Sequence, residues 1–306
     1  MKYMSIKEMS AKWKISDRRI RVLCAEGRIE GAIKIGRSWS IPASSVKPVD
    51  AREGSRKEYI GLEYDFSSID SLKDAIDRQR PFSKRLVNSL HEKLIVEWTY
   101  NSNAIEGNTL TLSETKVVLE GITIGGKSIV EHLETINHRE AILFVEELVS
   151  NKEQLSEWNI KSLHSLILKE IDNQNAGKYR TENVVISGAK HIPPKPYEIN
   201  YLMQKLISEY NHVWKDYHPV VRATLLHGEF VKIHPFIDGN GRTSRLLLNL
   251  ELMKNGYTPI VIKNENRAKY YEVIDLAHST MNYGPFVELI SDLVMESEKL
   301  WLSVLE

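Results

Sequence analysis

The stretch His234-Pro235-Phe236-Ile237-Asp238-Gly239-Asn240-Gly241-Arg242-Thr243-Ser244-Arg245 puts a base, a carboxylate, a Gly-Asn-Gly turn and two arginines within twelve residues. That set suits a polyphosphate ligand. Gly239 and Gly241 admit positive φ and let backbone N–H groups converge on an anion. The apolar run Leu246-Leu247-Leu248 predicts that the turn opens a helix, whose N-terminal dipole also favours phosphate. Arg242 and Arg245, three apart, share one helix face. Asp238 can hold a Mg²⁺ that bridges phosphate oxygens. Pro235 biases His234 to an extended conformation and ends the preceding helix, which leaves the imidazole at the lip of the nest as a general base. A plain loop with a solvated histidine would explain any one of these features, but not their coincidence. The phosphate-binding loop GxxxxGK(S/T) is absent.

HPFIDGNGRTSR resembles the signature His-Pro-Phe-x-Asp/Glu-Gly-Asn-Gly-Arg-x-x-Arg of the Fic (filamentation induced by cAMP) family at every specified position. The resemblance implies a protein adenylyltransferase that moves AMP from ATP, with Mg²⁺, to a Ser, Thr or Tyr hydroxyl of a target protein or of itself. His234 would be the base and Asp238 the metal ligand. Asn240 and Arg242 would hold the α/β-phosphates and Arg245 the γ-phosphate. The Ser102-x-x-x-Glu106-Gly107 segment, uninformative alone, then resembles the family's inhibitory motif. In the family this glutamate pairs with the second signature arginine, here Arg245, and a carboxylate there competes for the guanidinium and repels phosphate. Its place ahead of the signature implies the class with an N-terminal inhibitory helix. Paired tyrosines on a helix are usually core, but the family sets a tyrosine against the nucleobase, which points to Tyr271 ahead of Tyr270.

The elements that must position these residues are mostly helices. Helical periodicity predicts segments over 70–79, 83–100, 113–120, 128–150, 156–171, 197–214, 218–233, 240–255, 267–281 and 285–304. Ser83, Ser113, Ser128 and Ser156 mark starts, and Gly121 and Gly256 stops. Residues 183–194 alternate around Ser187-Gly188-Ala189 like a short hairpin. A mainly α body with one hairpin matches the Fic-type bundle. There the hairpin is a flap that registers a target segment by main-chain pairing, here through Val185, Ile186, Ser187 and Gly188. His91, His132, His138, His164, His212, His218, His227 and His278 form no zinc motif and read as packing.

Residues 1–50 read differently. Ser5 caps a helix with Ile6, Met9 and Trp13 inward, and Ser16 caps a second with Ile20, Leu23 and Cys24 inward. Ala32–Ile35 and Ser38–Ile41 then alternate as two short strands around Gly36-Arg37. This order resembles the winged helix-turn-helix of excisionase and MerR-type modules, which implies DNA contacts from Ser16, Arg18, Arg19, Arg21, Lys34 and Arg37. A module this small needs a second copy for useful affinity, so a homodimer belongs to the reading. A basic surface that binds protein instead is the competing account. Residues 51–58 lack any apolar side chain larger than alanine and read as a linker to a Fic domain over 59–306.

Composition sets bounds. The chain has 306 residues, 42% hydrophobic and 27% charged, as in a soluble globular protein, with zero formal net charge. Eleven Lys/Arg against five Asp/Glu in residues 1–50 make a basic head on an acidic body. Cys24 is the only cysteine, and no signal-peptide or membrane-spanning run is present, so a cytoplasmic setting is expected. Two other outcomes remain open at this level. One is a different transfer at the same site (UMP, phosphocholine, or removal of AMP). The other is a DNA-bound regulator whose body senses nucleotide.

Overall fold

A computed structural model describes residues 3–13, 16–25, 29, 31–36, 38–45, 64–186 and 188–305, without the side chains of Arg19, Ile35, Lys84 and Leu86. Chain contacts divide it into two units, Met1–Lys57 and Glu58–Glu306. The expected linker, 51–58, and the expected wing residue Arg37 lie outside the described residues.

The first unit contains β1 (Tyr3–Ser5), α1 (Ile6–Trp13), α2 (Asp17–Ala25), β2 (Ile33–Ile35) and β3 (Ser38–Pro42). Ser5 and Glu8 close a reciprocal cap on α1, with Ser5 N–H donating to Glu8 at 2.8 Å and Glu8 N–H to Ser5 Oγ at 3.3 Å. Met9, Trp13, Ile20, Leu23, Cys24, Ile29 and Ile41 form the unit's core. The sheet has three strands in the order β1-β3-β2, all antiparallel, where the sequence predicts two. The third strand, Tyr3-Met4-Ser5, runs straight into the α1 cap and is too short to show a period of two.

In the second unit come α3 (Ser67–Arg78), α4 (Lys84–Ile105), α5 (Leu112–Leu119), α6 (Ile129–Ser150), α7 (Glu157–Ile167), α8 (Ile199–Ser208), α9 (Pro219–Ile233), α10 (Asn240–Lys254), α11 (Arg267–Thr280) and α12 (Gly284–Leu305). Each predicted helix has its counterpart. Ser128 with Glu131 and Ser156 with Asn159 close capping boxes on α6 and α7. The start of α5 differs: Thr111 and Glu114 make the box, and Ser113 lies inside the helix. Helix α7 stops short of 171 because Asn137 Nδ2 draws the Ile167 and Lys169 carbonyls away from the helical ladder, at 3.3 and 2.6 Å. The predicted 197–214 helix is a 3₁₀ turn, α8, a π turn over Glu209–Val213 and a second 3₁₀ turn, an irregular run that buries both Tyr210 and Trp214.

Residues 183–194 carry no strand among those described. The expected hairpin is a loop with a turn bond from Ala189 N–H to the Ile186 carbonyl at 3.3 Å and no ladder. Two isolated short strands are marginal in water, and no strand of the second unit supports them among the described residues. The loop is held from its base instead. Buried Arg180 donates to the carbonyls of His234, Glu182 and Pro194 at 2.8, 2.7 and 2.6 Å.

Helix α10 is the spine. From Asn240 to Leu252 all but Gly241 are buried, and the helix packs on α9, α6, α7 and α4. Near its far end, buried Glu251 pairs with Arg222 Nη1 at 3.2 Å and accepts from the Tyr210 hydroxyl and from Asn255 Nδ2 at 2.8 Å. No helix among the described residues is long and apolar enough to cross a membrane. Glu251→Ala would leave the Arg222 cation buried without its partner, so it is expected to cost ~3–5 kcal/mol of stability. Chemical denaturation measures this, and a loss below ~1 kcal/mol would show that Arg222 is not held by this pair.

Candidate active site

The nest is built where α9 ends and α10 begins. His234 closes α9 as its C-terminal cap, its N–H bonded to the Phe230 carbonyl at 3.0 Å. Its backbone is left-handed, φ 50° and ψ 59°, not the extended form Pro235 predicts. The helix-ending bond and the Arg180 clamp on its carbonyl override the pre-proline preference. Gly239 caps α10 at φ 74°, a conformation open to glycine without cost. At Gly241 any Cβ would collide with Glu106 Oε1, so glycine is what allows a carboxylate to lie against the start of the helix.

That carboxylate completes the picture. Arg245, 3% exposed, donates from Nε to Ser102 Oγ at 3.0 Å and from Nη2 to the Ser102 carbonyl at 2.8 Å and Glu106 Oε1 at 2.7 Å. Burial disfavours its charge, Glu106 more than offsets this, and the guanidinium holds its proton more tightly than usual. Nη1 has no partner among the described residues, and it lies 3.1 Å from where a Gly241 Cβ would stand. Helix α4 ends at this point, Gly107 N–H bonding back to the Ala104 carbonyl. The chain beyond is fastened to α6 by Asn108 on Glu131 and Glu134, and by Thr109 on Glu131.

Other expected contacts are redirected. Asn240 turns its side chain onto the loop, accepting from Phe236 N–H at 3.0 Å and donating to the Phe236 carbonyl at 2.9 Å. It braces the loop and leaves only its backbone N–H to face an anion. Arg242 is 2% exposed and already engaged, at 3.0 Å with Glu134 and 3.3 Å with Asp238. Both tyrosines line the cavity, but Tyr270 is buried, its hydroxyl 2.7 Å from His227 Nε2, whereas Tyr271 is 40% exposed. Val185 points to solvent, Ile186 and Gly188 line the cavity, and Ser187 is outside the described residues.

Two residues that brace this loop carry no signature in the sequence. His164 stacks on Phe236, centroids 3.6 Å apart, accepts from Gly177 N–H at Nδ1 (2.9 Å) and donates from Nε2 to the Asp238 carbonyl (2.8 Å). Spaced with Ile160, Leu163 and Ile167, it reads as core. Arg180 has no pattern at all.

The site encloses a cavity of about 350 Å³, lined by His234, Gly241, Arg245 and Glu106 together with Tyr271, Ile274, Asp275 and His278 of α11. Burial pushes the His234 imidazole down to about 4, aided by Arg180 and opposed by the Val231 carbonyl and by Glu106. It is therefore neutral, as a base must be, across physiological pH. For Mg²⁺, Asp238 offers a carboxylate 67% exposed at the nest. No group of three or more His, Cys, Asp or Glu converges among the described residues. A Mg²⁺ that takes one carboxylate oxygen and otherwise phosphate and water fits that donor set.

Residues 154–252 match the Fic/DOC family. The chain is 37% identical over 240 residues to the Protein adenylyltransferase Fic of Drosophila ananassae, covering 77% of this chain and 47% of that protein, and the Drosophila melanogaster protein matches equally. The chain thus spans about half the length of these curated relatives. Among solved structures, a Fic domain containing signaling protein from Bacteroides thetaiotaomicron superposes with a TM-score of 0.72 at 32% identity, covering 78% of this chain and 98% of that one. Fic-1 from C. elegans superposes at 0.71 with 29% identity, covering 82% and 72%. Signature, helical body and relatives agree, and the chain belongs to the Fic family.

Proposed function

We propose that this chain is a protein adenylyltransferase held silent by its own Glu106. The observation that carries the reading is the Glu106 carboxylate on Arg245 at the first turn of α10, where anionic phosphate would otherwise sit. The name borne by the Drosophila relatives supports the same chemistry. ATP would lay its phosphates on the α10 N-terminus, with Arg245 on the γ-phosphate once Glu106 has left. Arg242, fixed by Glu134, would lend its charge from the side, and Asp238 would hold the Mg²⁺, which supplies charge neutralisation when bound. His234 takes the proton from an acceptor hydroxyl, the oxygen bonds to the α-phosphorus, and the bond to pyrophosphate breaks. The chain's own contribution is positioning and charge. The loop over 183–194 would steady the acceptor segment from the side of Ile186 and Gly188.

A second activity has separate support. Ser16, Arg18, Arg21 and Lys34 are exposed in the first unit, and Arg18 and Arg21, three apart on α2, lie away from the buried Ile20, Leu23 and Cys24. This favours DNA contact through α2, with a pair of copies on one site.

Removing the carboxylate separates these readings from their rivals. Glu106→Gly is expected to tighten ATP binding about ten-fold or more and to raise self-labelling from α-labelled ATP. In that background His234→Ala should keep the binding and lose the label. Unchanged affinity and labelling would contradict the inhibitory role, and labelling from UTP instead would favour uridylyl transfer. The pH profile is a second check. The base works deprotonated, and its folded pKa lies near 4, so kcat/KM should stay level from pH 7 to about 5 and fall by half near 4. Loss centred near the ordinary histidine value of ~6.5 would contradict the buried, neutral imidazole. For the first unit, gel shifts on DNA should weaken steeply with salt and vanish in Arg18→Ala/Arg21→Ala, and shifts that persist would remove α2 from the interface.

A further inference from the structure

The cavity carries polar atoms that the chemistry above leaves without a task. Tyr271, Ile274 and His278, spaced by three and four on α11, share the face that lines it. The Tyr270–Tyr271 turn is the one that senses Arg245 and Glu106. His278 lies ~10 Å further along the helix. A nucleotide with its phosphates on α10 would run its base along Tyr271 and Ile274 and present its polar edge to His278.

The tautomer of His278 is set by its surroundings. Nε2 is 2.9 Å from the Gly228 carbonyl oxygen, which can only accept, so Nε2 carries the ring's proton. Burial holds the ring neutral, its pKa down to about 4. Nδ1 is left as a lone pair that can only accept. Asp275, beside it, also offers only acceptors, and the 183–194 loop already occupies it: Lys190 N–H donates to Oδ1 at 2.8 Å, and Lys190 Nζ lies 3.8 Å from Oδ2. Val231, Ile274 and Ile186 add apolar wall, and Arg267, a donor in the same lining, stands at the opposite end of α11 from His278. This part of the cavity therefore asks its ligand for a hydrogen-bond donor.

Resting on the nucleotide reading, we infer that His278 determines the base, its Nδ1 accepting from the exocyclic amino group of a 6-aminopurine. A 6-oxopurine or uracil would set a carbonyl oxygen against that lone pair and leave two buried acceptors facing each other. The preference for adenine over uracil would thus be built into α11, through a backbone carbonyl of α9 that fixes the imidazole proton.

Calorimetric titration of the full-length Glu106→Gly chain with ATP and with purine riboside 5′-triphosphate, which lacks only the 6-amino group, tests this. ATP is expected to bind about ten-fold tighter. In Glu106→Gly/His278→Leu, ATP should fall to the affinity of the purine analogue, whose own binding should stay within about three-fold. A merely structural role for His278 would weaken both ligands alike and preserve their ratio. Equal affinities with His278 intact would overturn the inference without recourse to any His278 variant. A ten-fold ratio that survives His278→Leu would remove His278 from the role. If neither triphosphate binds, the nucleotide reading itself falls, and this inference with it.

Discussion

A guanidinium buried to 3% exposure must be matched by acceptors, and the structure depends on how Arg245 meets that demand. Two of its acceptors, the Ser102 hydroxyl and carbonyl, are fixed parts of α4. The third, Glu106, sits in the turn just past the end of the same helix with its side chain 31% exposed. The two Ser102 contacts hold the guanidinium independently of Glu106. The exchangeable contact is the one that solvent and ligands can reach. Under the proposed function, opening the site needs no large rearrangement, only replacement of one carboxylate by another anion.

Around this pair the chain spends its polar groups on rigidity. Asn240 and His164 brace the signature loop at Phe236 and Asp238, and Arg180 ties the left-handed His234 to Glu182 and Pro194 at the two ends of the 183–194 segment. Arg242 is locked between Glu134 and Asp238. Glu134 also accepts from Asn108, so the segment beyond Glu106 and the nest share one carboxylate. Contacts of this sort support preorganisation, in which dipoles and charges are already aimed before a ligand arrives. They also link the end of α4 to the start of α10 through Glu134 of α6.

Much of this was legible in the chain. Helix positions followed from apolar periodicity and Ser-initiated caps, because burying one face is what makes these helices stable. The Gly-Asn-Gly turn declared a tight loop that opens a helix, and α10 begins there. Side-chain allegiance was not legible. Asn240 reads equally well as a phosphate ligand or as a brace, and only the position of the Phe236 backbone decides. His164 reads as core because it occupies a core position, although its Nε2 holds the signature loop at Asp238 and its Nδ1 holds the turn at Gly177. The 183–194 alternation promised a hairpin, but a ladder needs support from a neighbouring strand, and periodicity cannot report on that. The π turn after α8 was hidden for a similar reason, since Tyr210 and Trp214 fit a regular helical stripe until both have to be buried.

The central claim is that Glu106 and an incoming triphosphate compete for the same guanidinium, and a double-mutant cycle on ATP affinity addresses it most directly. Dissociation constants would be measured for the parent chain, for Glu106→Gly, for Arg245→Ala and for the double variant. If the two groups act through one another, the gain from Glu106→Gly seen with Arg245 present disappears when Arg245 is absent. If Glu106→Gly improves ATP binding by the same factor in both backgrounds, Glu106 acts by some other route and the account is wrong.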